Sequence, residues 1–265
     1  MKKILLIILL FLLVGIITIS YILINKDKTS EIATSNENTI TELIGIMPTP
    51  ENINENQIIQ NGTVNPSYLI DISNNEVLAD NSDFIIIGRV QSIDGVTNYN
   101  PTTKTYIDFP CIVGKIKVEK VLKGNLEEKN ISFIKLGGTI SVKEYEKSLS
   151  KEEVGEMGFN KLTETEKENL YVSKTVEDDI NIEKNKTYLM YLCYAEDYGR
   201  YTVAFEGYGL REIDPNSLSS DPNLSNSDTE TLTSNEYKTV KVKNNINGSY
   251  DTLDSVIPDK VKKNK

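Results

Sequence analysis

The chain has 265 residues, is 38% hydrophobic and 26% charged, and carries a net charge of −10. That length accommodates one sizeable domain with polar tails. The acidity leaves no basic stripe to neutralise phosphates, so nucleic acid is not an expected partner, and adsorption on anionic lipid is disfavoured. The absence of His removes His-dependent triads, Cys-His pairs and His-ligated zinc. Two cysteines, Cys111 and Cys193, are too few for a Cys-rich metal site and allow at most one internal disulfide. No metal and no cofactor is expected.

Lys2 and Lys3 precede an apolar run from Ile4 to Ile24, interrupted by Gly15, Thr18, Ser20 and Tyr21. At the helical rise the run is about 31 Å long, the thickness of the hydrocarbon core. The end of the run, ISYILIN, offers no small-residue cleavage site. Residues 1–25 are therefore expected to be an uncleaved transmembrane anchor in the bilayer through residues 4–24, rather than a signal peptide. The slight basic excess before the run favours a cytoplasmic N-terminus and an extracytoplasmic body. Residues 26–66, dominated by Ser, Thr, Asn and Glu, read as a flexible stalk with a reach of roughly 35 Å.

The folded part is expected over residues 67–213. Ser73-Asn-Asn-Glu76 fits a helix cap with an acidic first turn, predicting a short helix over 74–81. Phe84–Val90 is apolar on both faces, as a central strand would be. Asp94-Gly95 and the cluster 98–103 suggest a turn and a loop. Tyr106–Leu122 follows as a long strand containing CIVGKIKVEKVLKG, in which Ile112, Gly114, Ile116 and Val118 share one face and Lys115, Lys117 and Glu119 the other. The phase breaks at Val121-Leu122, which predicts a bulge or a strand end, and Pro110 marks an edge or another bulge. Ile131–Leu136 is a further strand closed by Gly137-Gly138. Residues 142–176 carry two capping-box spacings, Ser150-x-x-Glu153 and Thr163-x-x-Glu166, and read as a short helical insertion outside the sheet. Thr187–Tyr194 and Arg200–Phe205 form a hairpin turned at Glu196–Gly199. Residues 214–265 fall back to polar composition and are expected to be mostly disordered, with a candidate strand at 237–242.

A short helix running into Ala79–Val90, then Lys115–Gly124, Ile131–Ile134, Lys186–Leu192 and a hairpin return ending in Gly207-Tyr-Gly209, resembles the netrin/tissue-inhibitor-of-metalloproteinase-like domains and their bacterial cell-surface relatives. The resemblance covers about residues 74–213. It implies a mainly β fold, a small five-stranded OB-like antiparallel barrel, and a tendency to bind proteins. The N-terminal Cys-x-Cys with which animal inhibitors of this kind chelate a target's zinc has no counterpart here, so no inhibitory residue carries over.

The expected function is an extracytoplasmic binding module, recognising an unknown protein or cell-envelope partner, with no catalytic residue assigned. Tyr offers contact area at little entropic cost. The tyrosines crowded on one hairpin make Tyr191, Tyr194, Tyr198 and Tyr201 the candidate recognition surface. Cys111 and Cys193 lie in or beside apolar runs and are expected to be free thiols, a bridge between them being the alternative. Two rival functions remain: a surface hydrolase or transferase using carboxylates such as Asp83 and Glu206, or a passive wall-facing spacer. Ser148-Leu-Ser-Lys151 has the spacing of a Ser/Lys dyad but lacks the partner motifs, and reads as helix capping.

Overall fold

A computed structural model describes residues 45–49, 53–218, 238–245 and 247–263. Residues 45–265 form one compact unit. The expected anchor and most of the expected stalk lie outside the described residues. No helix among the described residues is long and apolar enough to cross a membrane.

The fold is mainly β and is organised around a ring of five hydrogen-bonded strands. They are β2 (Phe84–Asn100), β3 (Thr105–Lys123), β4 (Asn130–Leu136), β7 (Thr187–Ala195) and β8 (Arg200–Val203). Around the ring the order is β2-β3-β4-β8-β7, and β7 closes back on β2 from Phe84↔Leu192 to Arg89↔Thr187. The junctions are antiparallel except for β4 with β8, which run parallel at Phe133↔Tyr201 and Ile134↔Thr202. The expected all-antiparallel sheet is corrected at that junction. The odd number of strands forces it, because four antiparallel junctions in a closed ring of five leave β4 and β8 running the same way.

Side chains from every strand of the ring fill its inside: Ile86, Val90, Ile116, Ile131, Phe133, Tyr188, Met190, Leu192 and Val203. The other face of β2 and β7 is also apolar. Ile85, Ile87, Leu189 and Tyr191 pack under Leu78 and Ala79 of helix α1 (Asn75–Asp80). Two buried faces explain the unbroken Phe84–Val90 run. The α1 cap is Asn74, which accepts from Glu76 N–H, one residue later than the Ser73 cap expected, because Ser73 instead bonds Asp71. Leu122 is the extra residue between Ile86↔Val121 and Ile85↔Lys123, so the expected break in β3 is a bulge. Residues 107–110 of β3, Pro110 included, face a single residue of β2 between Thr97↔Cys111 and Tyr99↔Tyr106.

Asp94-Gly95 makes no turn, and β2 continues through it to Asn100. Gly95 has φ +149°, and a Cβ there would lie 2.1 Å from Met47 O. Met47 and Val96 exchange both backbone hydrogen bonds at 2.8 Å, so this glycine serves a close backbone approach.

A second sheet of three strands has the order β1 (Ile58–Val64), β6 (Tyr171–Val176), β5 (Gly138–Ser141). It corrects two expectations. Residues 58–64 belong to a strand rather than to a stalk, and the insertion 142–176 is more than helices. Between β5 and β6 run α2 (Val142–Tyr145), α3 (Lys151–Glu156) and α4 (Glu164–Asn169), the last two closed by the Ser150/Glu153 and Thr163/Glu166 capping boxes. Val142, Tyr145, Phe159 and Val172 then pack on Val96 and Ile140, against the extended end of β2.

The tail is a further correction. After β9 (Leu210–Glu212), which pairs with β7, come α5 (Pro215–Leu218), β10 (Lys241–Lys243), β11 (Tyr250–Thr252), α6 (Leu253–Val256) and α7 (Asp259–Lys263). Val240, Val242, Leu253, Val256, Ile257 and Val261 are buried against α1 and the outer face of the ring. Burial of these aliphatic side chains makes the C-terminal segment part of the core.

Candidate functional site

The β7–β8 hairpin divides its tyrosines by strand alternation. Tyr191 points to the covered outer face of the ring, is fully buried, and donates to Val256 O at 3.2 Å. It belongs to the core, which corrects its place in the candidate surface. Tyr198, in the turn after β7, packs on the outer face beside Cys111, Val113 and Ile134. Tyr194 and Tyr201 are cross-strand partners with ring centroids 5.1 Å apart, and Tyr201 meets Phe84 edge-on at 5.5 Å. Phe84 and Tyr201 rest on the apolar inside of the ring, while Tyr194 is 47% exposed. Phe84, Tyr201 and Tyr194 thus run from the mouth of the ring to solvent. Phe84 was missed because it reads as the start of a buried strand; its position opposite Leu192, next to the hairpin end, was the usable signal.

The hairpin is held in place by polar contacts. Asp83 accepts from Tyr194 N–H at 3.1 Å, and its own N–H donates to Leu192 O. At the same end of the ring Thr102, in the turn between β2 and β3, donates to Asp197 O at 2.7 Å. Burial raises the Tyr201 hydroxyl above the usual phenol value, and the nearby Glu128 charge adds to it. An aromatic patch with an acidic border, mounted on fixed strands, is suited to contact and stacking.

The two thiols are free. Cys111 is buried beside Val113 and Ile134, and burial pushes its pKa up to about 12. Cys193 is half-buried, donates to Asn81 O, and is also raised, first by burial. Neither environment stabilises a thiolate.

Of the two carboxylates in the enzymatic reading, Asp83 is exposed and occupied with the hairpin backbone. Glu206 sits in the loop between β8 and β9, where Phe205 and Glu206 both have positive φ, 61° and 45°. Its Oε2 is buried without a hydrogen-bond partner among the described residues, and desolvation raises its pKa. Asn245 reaches into the same loop and donates to Gly207 O and Leu210 O. Neither carboxylate lines the two clefts described next.

The larger cleft, about 890 Å³, is bordered by the β3–β4 connection and by Lys260 and Val261 of α7. The smaller, about 460 Å³, lies between the ring and the second sheet, with Ile93, Val96 and Ile112 on one side and Ser173, Lys174 and Thr175 on the other. Its lining includes an ion pair, Lys135 with Asp179, whose side chains are only 4% and 7% exposed. Asp179 also accepts from Ile180 N–H at 2.8 Å. Lys135 is in phase with the inward Ile131 and Phe133 of β4, a signal that a pattern read as apolar inside and polar outside passes over. Among the described residues no group of three or more His, Cys, Asp or Glu side chains is placed to hold a metal ion.

No protein-family model, no curated protein and no solved structure matches the chain.

Proposed function

We infer that this chain is a membrane-anchored, extracytoplasmic binding module that recognises a protein or cell-envelope partner through the aromatic mouth of its ring. The observation that carries this is the Phe84–Tyr201–Tyr194 file, which is exposed at one end and fixed on paired strands at the other. Rigid aromatic side chains of this kind anchor interfaces. The inside of the ring is filled by its own side chains.

The ring is an OB-like barrel. Numbered in chain order its strands run 1-2-3-5-4, with the third and fifth parallel, and the insertion falls between the third and fourth. In that architecture the loops joining strands 1–2 and 4–5 border the ligand face; here those two loops are tied together by Thr102 and Asp197. The same order, with α1 leading into the first strand, supports the resemblance to the netrin/tissue-inhibitor-of-metalloproteinase-like domains. The apolar run at residues 4–24 supports the anchor, and the lysines before it the orientation.

The test uses intact cells producing the full chain. Added protease should remove the body, and a membrane-impermeant amine cross-linker should give an adduct whose mass is not a multiple of the chain's. Tyr194→Ala with Tyr201→Ala should abolish the adduct while leaving protease sensitivity unchanged. Protection from protease overturns the location, and an undiminished adduct overturns the aromatic mouth as the contact.

A further inference from the structure

We propose that the outer edge of β1 is a dimer seam, at which two copies of this chain join their three-stranded sheets into one six-stranded sheet. β1 reads IIQNGTV, and among the described residues its edge away from β6 pairs with no strand. Natural proteins blunt such edges with charge, proline, bulges or a covering element. In a chain that is 26% charged, β1 carries no charge and no proline, and its one irregularity is the extra residue Ile59 between Ile58↔Tyr171 and Gln60↔Val172. Its neighbours add little: β6 contributes Lys174 alone and β5 nothing charged. Apolar side chains also remain open on this strand, with Ile59 44% and Val64 43% exposed.

Charge selects the occupant. β1 itself offers no charged side chain to an acidic or basic peptide, and the one charge beside it, Lys174, lies over Gly62 and against the Tyr145 ring. A second β1 brings no charge of its own, even though each chain is at −10. A two-fold axis pairs the strands antiparallel and gives an isologous contact. Residues opposite one another in an antiparallel pair share a face, so the axis passes between one residue and its own copy, and the middle of β1 is Asn61. Asn61 then faces Asn61 of the second copy, Ile59 faces its Thr63, and Ile58 faces its Val64. Ile59, Asn61 and Thr63 all lie on the exposed face, and the contact covers both open apolar side chains.

The register makes the test specific. Opposite Cα atoms in an antiparallel pair are about 4.5–5.5 Å apart, within reach of a disulfide. In the full chain in its own membranes, with Cys193→Ser as background, Asn61→Cys should give a band of twice the chain mass on mild oxidation. Ile59→Cys and Thr63→Cys should give none alone, since each would be roughly 14 Å from its own copy. The two produced together should cross-link to each other. These side chains are exposed, so the substitutions leave the core untouched, and the mixed pair is an independent readout should Asn61→Cys misfold. No dimer at Asn61→Cys or from the mixed pair overturns the proposal. So do equal dimers at all three positions, which would report collision, and an adduct to a different protein, which would mean that something other than a second copy covers the edge.

Discussion

Removing one member of the Lys135–Asp179 pair should be among the most damaging single changes to this fold. With side-chain exposures of 4% and 7%, neither group can recover its hydration while the structure stays folded. Lys135→Met leaves the Asp179 carboxylate buried, with the Ile180 N–H as its remaining donor. Asp179→Leu leaves the Lys135 ammonium buried beside Ile93, Val96 and Ile112, with Leu136 O at 3.5 Å as its remaining acceptor. An uncompensated buried charge of this kind costs about 3–5 kcal/mol. For a compact unit of residues 45–265, each kcal/mol shifts Tm by about 2–4 °C, so each single variant should melt roughly 10 °C lower. The double variant Lys135→Met/Asp179→Leu removes both charges, and by the same reasoning should return to within about 1 kcal/mol of the parent or exceed it. Urea unfolding of all four proteins gives the cycle. Single variants that lose less than about 1 kcal/mol, as exposed pairs do, would refute the burial and with it the seat of the second sheet on the ring.

Four further outcomes follow from the same packing. Cys111, with its pKa near 12, should resist alkylation in the native protein at mildly alkaline pH, while both thiols label in denaturant without reductant; labelling that requires reductant would mean a bridge. Glu206 is raised by desolvation, so the folded state holds its proton to higher pH and stability falls as pH rises from the ordinary carboxylate value to the raised one. Glu206→Gln should therefore stabilise the protein at neutral pH relative to the parent and lose that advantage in acid; a pH-independent difference would contradict this. Tyr145→Ala should cost about 3–5 kcal/mol, because the ring fills the core between insertion and ring at 1% exposure; near-wild-type unfolding would make the insertion dispensable. Truncation before residue 238 removes Val240, Val242, Leu253, Val256, Ile257 and Val261 from the core, each worth about 1.5–3 kcal/mol, and should leave an unfolded chain by circular dichroism.

The ring strands were legible from local pattern, the alternation of Ile112–Val118 and the unbroken apolar runs of Phe84–Val90 and Thr187–Leu192. Phe84–Val90 announced two buried faces, and Val121-Leu122 announced the bulge that the β2–β3 register shows. The capping boxes at Ser150 and Thr163 are local chemistry and were readable as such. What escaped depends on distant partners. β1 earns its strand from β6, more than a hundred residues later, and in isolation looks like the polar segment around it. The tail is polar on average, yet Leu253, Val256, Ile257 and Val261 recur at helical spacing, a pattern that composition averages hide. Asp94-Gly95 has the spelling of a hairpin turn, but Gly95 is needed for the approach of Met47, a contact no local window contains. At the site, alternation could halve the tyrosines but could not say which face the tail would cover. Tyr191 was lost to the core for that reason, and Phe84 was overlooked.

The recognition surface itself is tested most directly by placing a photo-reactive phenylalanine analogue at position 194 of the full chain in intact cells. A second chain carries it at Tyr250, which is 49% exposed and lies on β11, away from the hairpin. Irradiation should give one discrete adduct from position 194, lost when Tyr201 is also replaced by Ala, and none from position 250. Adducts of equal yield from both positions, or none from position 194, would contradict recognition through the aromatic mouth of the ring.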